Sequence, residues 1–204
     1  MKSSLTWMQD YVDVDMNQDM QAFADKLTIA GIPVEQVEYW GTEVKKVKTG
    51  KILQIDKHPD ADKLVVCQVD MGDEQLQIVT AATNVRVGQV VPVAVHGAHL
   101  PGGTKIKRSK LRGVLSNGMF CSAHEFGFDD SLLLPEEREG IWILPPDTPL
   151  GVDAADYLQV RDVVYEYELT ANRADCFSMV GLSREFAVLS GKEARYPEIS
   201  VKEC

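Results

Sequence analysis

The chain has 204 residues, 45% hydrophobic and 25% charged, the balance of an ordinary globular protein with room for one sizeable domain or two small ones. No run approaches the ~18 apolar residues of a membrane span, and Met1-Lys2-Ser3-Ser4-Leu5-Thr6-Trp7 lacks the apolar core of a signal peptide, so a cytoplasmic protein with no membrane partner is expected. The formal net charge of −10 argues at first against nucleic acid as a partner.

The first forty residues read as helical. Ser4 is placed to cap a short helix whose Leu5, Met8, Tyr11 and Val12 share a face. A second helix starts near Asn17 or Gln18, carries Met20, Phe23, Ala24, Leu27 and Ala30 at helical spacing, and stops at Gly31 and Pro33. From about Val44 the period changes. Val47–Asp56, Leu64–Met71, Leu76–Ala82 and Val90–Val95 are β-rich runs of strand length, punctuated by Gly50, Gly72-Asp73 and Gly88. Met119–Ser122 and Ile141–Leu144 are candidates to complete the sheet. After Pro145-Pro146 the helical style returns at Asp153–Leu158, an alternating run spans Val163–Leu169, and a last helix covers Ser178–Ser190 up to Gly191.

About five short strands in roughly 110 residues suggest a small closed barrel of the oligonucleotide-binding (OB) type, with an open sandwich as the alternative of similar spacing. Neither flank alone can bury much of a core. The expected fold class is therefore α+β: an OB-type β-barrel over 41–151, inserted into a small, mainly helical α+β domain made of 1–40 and 152–191. Residues 192–204 read as an exit strand or linker.

On a barrel of this kind, His58-Pro59-Asp60-Ala61-Asp62-Lys63-Leu64 becomes the loop between strands one and two. His96–Gly118 becomes the loop between strands four and five, and these loops flank the oligonucleotide face of OB folds. Pro59 fixes a turn, Asp60 and Asp62 can close local Asx bonds, and Lys63 is left pointing outward. A well-made turn with nothing bound is the plain alternative. The second loop carries Lys105, Lys107, Arg108, Lys110 and Arg112, and no acid occurs from 100 to 118. Residues 40–151 hold 13 Lys/Arg against 14 Asp/Glu, whereas the rest hold 8 against 17, so most of the acidity lies outside the barrel. Screening over roughly 10 Å lets a local patch act despite a distant acidic lobe. Five phosphate contacts would give a log–log salt slope of about −4 to −5. No Phe, Trp or Tyr occurs from Gly41 to Met119, so stacking platforms are lacking and contact is expected through shape and backbone.

Other chemistry is thinly represented. The four cysteines, Cys67, Cys121, Cys176 and Cys204, are widely spaced with no CxxC pair, and Cys67 reads as a buried small hydrophobe. His58 with Asp60 and Asp62, or Cys121 with His124 and Cys67, offer weak metal sets; the turn role explains the first better. No GxSxG, P-loop or Rossmann fingerprint is present, and Gly97–Gly103 reads as a flexible arm.

The two segments His58–Leu64 and Ser116-Asn117-Gly118-Met119-Phe120-Cys121-Ser122 resemble the signature stretches of the tRNA-binding OB domain family. The flanks resemble the N-terminal part of bacterial phenylalanyl-tRNA synthetase β subunits. They are Ser4–Trp7, Leu27–Gly31 with Val34-Glu35, Glu168–Cys176 and Gly181–Glu185. The resemblance implies a fragment of a much longer β subunit that joins a catalytic α subunit in an (αβ)₂ heterotetramer. That enzyme attaches phenylalanine to its tRNA using ATP and magnesium, with editing in β domains outside this segment. It implies tRNA-facing roles for Lys63 and the Lys105–Arg112 loop, and for Ser116 and Asn117. It implies no catalytic residue, metal or cofactor within the segment, and a downstream domain after 192–204. The competing expectations are an OB insert that braces the synthetase without touching RNA, and a free-standing tRNA-binding protein.

Overall fold

In the computed structural model, which describes residues 1–201, Ser4 ends a short strand β1 (Lys2–Ser4). Its hydroxyl accepts from Trp7 N–H and caps the one-turn helix α1 (Leu5–Met8). Asp19 caps α2 (Met20–Ile29) in the same way, accepting from the Gln21 and Ala22 amides. The chain then extends as β2 (Val34–Trp40). The far end of the sequence returns as β11 (Asp162–Tyr167) and α4 (Met179–Ser190), the latter capped by Ser178. Together, residues 1–40 and 162 onward form one unit.

Its centre is a three-stranded antiparallel sheet in the order β1-β11-β2, with Ser3 and Val37 opposite Tyr165 on either side. Leu5, Met8, Phe23, Leu27, Leu182 and Phe186 bury against Tyr165. The Tyr165 hydroxyl donates to Met20 O at 2.6 Å, so the one polar atom of that ring is satisfied inside the core. The expectation of a mainly helical unit is thus corrected. Lys2–Ser4 and Val34–Trp40 are strands because a distant strand, β11, offers each a free edge, information that local periodicity does not contain.

The second unit spans 41–161. Strand β3 (Lys45–Lys57) pairs through Lys45–Lys51 with β6 (Val90–Leu100) and through Lys51–Lys57 with β4 (Val65–Asp70). Next to β4 lies β5 (Gln75–Thr80), while β6 also holds the short strands β7 (Thr104–Lys105) and β10 (Gly118–Phe120). The six-stranded antiparallel sheet runs β10-β6-β3-β4-β5, with β7 alongside β6. Two apolar clusters line it. Ile52, Val69, Ile78, Val91 and Phe120 belong to the first, and Val44, Ala94, Leu100, Phe126, Ala154 and Ala155 to the second.

Three expectations change here. The ladder of strands does not close into a barrel. Its outer members, β5 and β10, meet only near Asn117, whose N–H donates to Gln77 O at 2.9 Å. Ile141–Leu144 adds no strand, only a bridge from Leu144 to Val90. Residues 152–161 belong to this unit and not to the split one. Helix α3 (Ala154–Tyr157) buries Ala154 and Ala155 with Val44 and Val47, and Arg161 donates to Val44 O at 2.7 Å. Residues 192–201 hold no regular element, and 202–204, Cys204 included, lie outside the described residues.

Candidate nucleic-acid interface

The His58–Leu64 turn joins β3 to β4. It is closed by His58 N–H donating to Leu64 O at 3.2 Å and Leu64 N–H to Ala61 O at 3.2 Å. His58 is 6% exposed, and its ring works on both sides. Asp60 N–H donates to Nδ1 at 3.1 Å, which leaves the proton on Nε2, and Nε2–H donates to Leu111 O at 2.9 Å. The turn is thus organised by His58, not by Asx bonds of Asp60 and Asp62. With both nitrogens engaged, His58 has no lone pair left for a metal. Lys63 stands exposed beside Asp62 at the tip.

Leu111 belongs to a hairpin. Strands β8 (Ser109–Leu111) and β9 (Val114–Ser116) pair in the register Ser109 to Ser116, Lys110 to Leu115 and Leu111 to Val114. Both central turn residues, Arg112 (φ 47°) and Gly113 (φ 87°), have positive φ, as a type I′ turn requires. Glycine suits the second position without strain, whereas Arg112 holds a left-handed conformation that costs roughly 1–2 kcal/mol. Preceding it, Ile106 N–H donates to Ala98 O and Arg108 N–H to His96 Nδ1. The basic loop is therefore a pinned ribbon along β6 followed by a hairpin, and not the flexible arm expected from its glycines. Lys105, Lys107, Arg108, Lys110 and Arg112 are all exposed. Among the described residues none of the five meets a carboxylate within ion-pair distance.

His58 is the residue whose role was missed: it ties the turn of Lys63 to the hairpin of Lys110 and Arg112. The only sequence signal was a histidine directly before Pro59. Replacing His58 with Ala leaves the Leu111 carbonyl and the Asp60 amide without their partner and is expected to cost about 1–3 kcal/mol. Hydrogen exchange should then rise across 109–116; unchanged protection there would show that the two loops are not coupled.

Ser116 serves the fold, whereas half-exposed Asn117 is tied to Gln77 O through its backbone amide. Ser116 is 1% exposed, its Oγ accepting from Val79 N–H at 3.0 Å and donating to Gly118 O at 2.8 Å. Gln77 Nε2 donates to Leu115 O at 2.7 Å beside them. These bonds stitch β5 to the β9–β10 corner where backbone pairing is sparse, which removes Ser116 from any surface that RNA could touch.

The proposed metal sets are not assembled for coordination. Burial raises the Cys121 thiol to about 12 and the Cys67 thiol to about 11, so both stay protonated near neutrality. Among the described residues one further cluster of donors, Asp175, Cys176 and Glu185, is spanned by the Arg173 guanidinium, which pairs with both carboxylates. His124 is exposed and faces two carbonyl oxygens, Phe128 O from Nδ1 at 3.0 Å and Arg138 O from Nε2 at 3.2 Å, with Asp130 also at 3.2 Å.

Only the imidazolium can donate to both carbonyls, and these two bonds raise the His124 pKa above its ordinary 6.5. A pKa raised on folding contributes stability that is full below the unfolded value and lost as pH climbs through the folded one. The contacts of His124 with Phe128 and Arg138 are therefore expected to loosen on alkalinisation. Amide resonances of Gly127 and Phe128 followed against pH check this, and a midpoint below 6.5 would contradict it.

The family model described as "Putative tRNA binding domain" matches residues 47–153. The chain belongs to that tRNA-binding domain family. Beyond the domain, the whole length is similar to phenylalanine–tRNA ligase beta subunits. That of Moorella thermoacetica is 52% identical over 197 residues, covering 97% of this chain and 24% of the relative. Those of Syntrophus aciditrophicus and Clostridium acetobutylicum are each 46% identical over 203 and 204 residues, covering 100% of this chain and 24% and 25% of theirs. The chain thus spans about a quarter of the length of these relatives. Among solved structures, a MetRS related protein from Pyrococcus horikoshii is 22% identical, with 52% of this chain and 84% of that one covered at a TM-score of 0.37. Among the described residues no helix is long and apolar enough to cross a membrane.

Proposed function

We propose that the 41–161 unit is an OB-type fold, a partly open barrel, that contacts tRNA through Lys63, Lys105, Lys107, Arg108, Lys110 and Arg112, with half-exposed Asn117 at their edge. The carrying observation is the His58 bridge, which holds the turn of Lys63 and the cationic hairpin as one surface. The strand order supports the partly open OB reading: β3 is shared between two halves of the sheet, and the Asn117–Gln77 bond draws its outer strands together. The contact is to backbone and shape, because Gly41–Met119 holds no aromatic on which a base could stack.

By similarity to the beta subunits, the segment acts as an accessory tRNA-binding part of a cytoplasmic phenylalanine–tRNA ligase. In this reading a catalytic α subunit completes an (αβ)₂ heterotetramer, ATP and Mg²⁺ serve the whole enzyme, and the segment itself needs no cofactor. Identity that continues through both flanks speaks against a free-standing tRNA-binding protein. A second reading, an OB insert that only braces the synthetase, is favoured by the missing aromatics and the net charge of −10. Titrating tRNA against this chain over a range of salt separates the two. The RNA reading expects affinity that falls with a log–log slope of about −4 to −5, and no measurable salt-dependent binding would leave only the brace.

A further inference from the structure

One face of the strip formed by β3, β6 and β7 gathers cations that lie far apart in the sequence. His99 on β6 stands opposite Lys45 of β3 on one side and opposite Lys105 of β7 on the other, so the three side chains share a face. Their neighbours alternate as this requires: Val44, Ala98 and Leu100 are buried, while Lys45, His99, Lys105 and Lys107 are exposed. The register of β3 against β6 jumps between Lys45 and Val47, where Lys46 takes φ 57°. That irregularity turns the Lys46 ammonium across the strip, to 3.5 Å from where a Cβ on Gly97 would lie. Gly97 in turn bonds Ile106 through its amide, directly before Lys107. A cavity of about 410 Å³ opens beside the strip, lined by Thr42, Glu43, Lys45, His99, Leu100 and Gly103.

We propose that this strip is a further track for an RNA sugar–phosphate backbone, with Lys45 and Lys46 as phosphate contacts that extend the line of Lys105 and Lys107. The inference rests on the RNA-binding reading above and adds contacts that hairpin and turn do not include. Lys45 and Lys105 stand on strands that flank β6, so their rows are about 9–10 Å apart with His99 between them. Charges in such a row suit a polyanion with regularly repeated charge. The absence of aromatic rings on this face leaves phosphate attraction as its means of binding.

The test compares tRNA binding by the whole chain with that of two variants across a salt series. One is Lys45→Gln with Lys46→Asn, the asparagine chosen because it tolerates the left-handed backbone. The other is Lys110→Gln with Arg112→Asn on the hairpin. The expected result is that the first variant lowers the log–log slope by about 1.5–2 and that the second does so independently. If Lys45→Gln/Lys46→Asn fails to fold by circular dichroism, Lys45→Gln alone should lower the slope by about 0.7–0.9. An unmoved slope in a folded strip variant, with the hairpin variant still weakened, overturns the strip and leaves the RNA reading intact. Absence of any salt-dependent tRNA binding by the wild-type chain overturns both. Equal affinity and slope for polyglutamate would replace RNA by an acidic protein as the strip's partner, and so overturn it as an RNA track.

Discussion

Reversing Lys105, Lys107, Arg108, Lys110 and Arg112 to Glu in this chain is expected to lower tRNA affinity by about a thousandfold or more near physiological salt. Each lost phosphate contact contributes on the order of 1 kcal/mol there, so five amount to several powers of ten before the repulsion of five new carboxylates is added. The log–log salt slope should shrink by about 4, which separates loss of ion contacts from general unfolding. All five side chains are exposed and lack ion-pair partners among the described residues, so the fold should tolerate the change. The most informative control is the melting temperature. An affinity and slope that stay at the wild-type values would mean that RNA does not meet this ribbon, and the bracing role would stand in its place.

The second large effect concerns the corner where the sheet is stitched. Gly118 of β10 sits opposite Val95 of β6, and a Cβ there would intrude on the Ala94 carbonyl oxygen and the Val95 backbone. Neither neighbour is the end of a flexible side chain, so relief requires β10 to move away from β6. Gly118→Ala is expected to destabilise the 41–161 unit by about 3 kcal/mol. The displacement would also pull Ser116 off the Val79 amide and Asn117 off Gln77. Urea unfolding measures the loss, and Ser116→Ala, which removes one stitch without a clash, should cost only about 1–2 kcal/mol. Equal destabilisation by the two variants would show that the corner is held by hydrogen bonds alone and not by the tight backbone approach.

The surface proposed for tRNA rests on a division of labour between the two signature segments. In the first, Lys63 is presented and His58 is hidden. In the second, Ser116 and Gly118 are consumed in closing a corner, while the cations just before them are displayed. Residues in a recognisable signature are therefore not all contacts. Several are there because a ribbon and hairpin that together bear five positive charges must be held against their mutual repulsion, and hydrogen bonds through His58, His96 and Ser116 supply that restraint.

Much of this was legible in the residues alone. Strands β3, β4, β5 and β6 were marked by β-branched runs between turn residues, and α2 and α4 by apolar spacing and their stops, because those signals are local. The ribbon of uncompensated cations and the lack of aromatics from Gly41 to Met119 are also properties of sequence, and they define what kind of ligand this surface can attract. What only the tertiary structure decided depends on partners distant in the chain. Lys2–Ser4 and Val34–Trp40 became strands because β11 lies more than 120 residues away in sequence and yet offers both edges. Ser116 became buried because Val79 needed an acceptor. Lys45 and Lys105 came to flank His99 through a strand register that skips residues. Propensity and periodicity act over a few residues, whereas hydrogen-bond satisfaction and charge placement are settled by whichever segments the fold brings side by side.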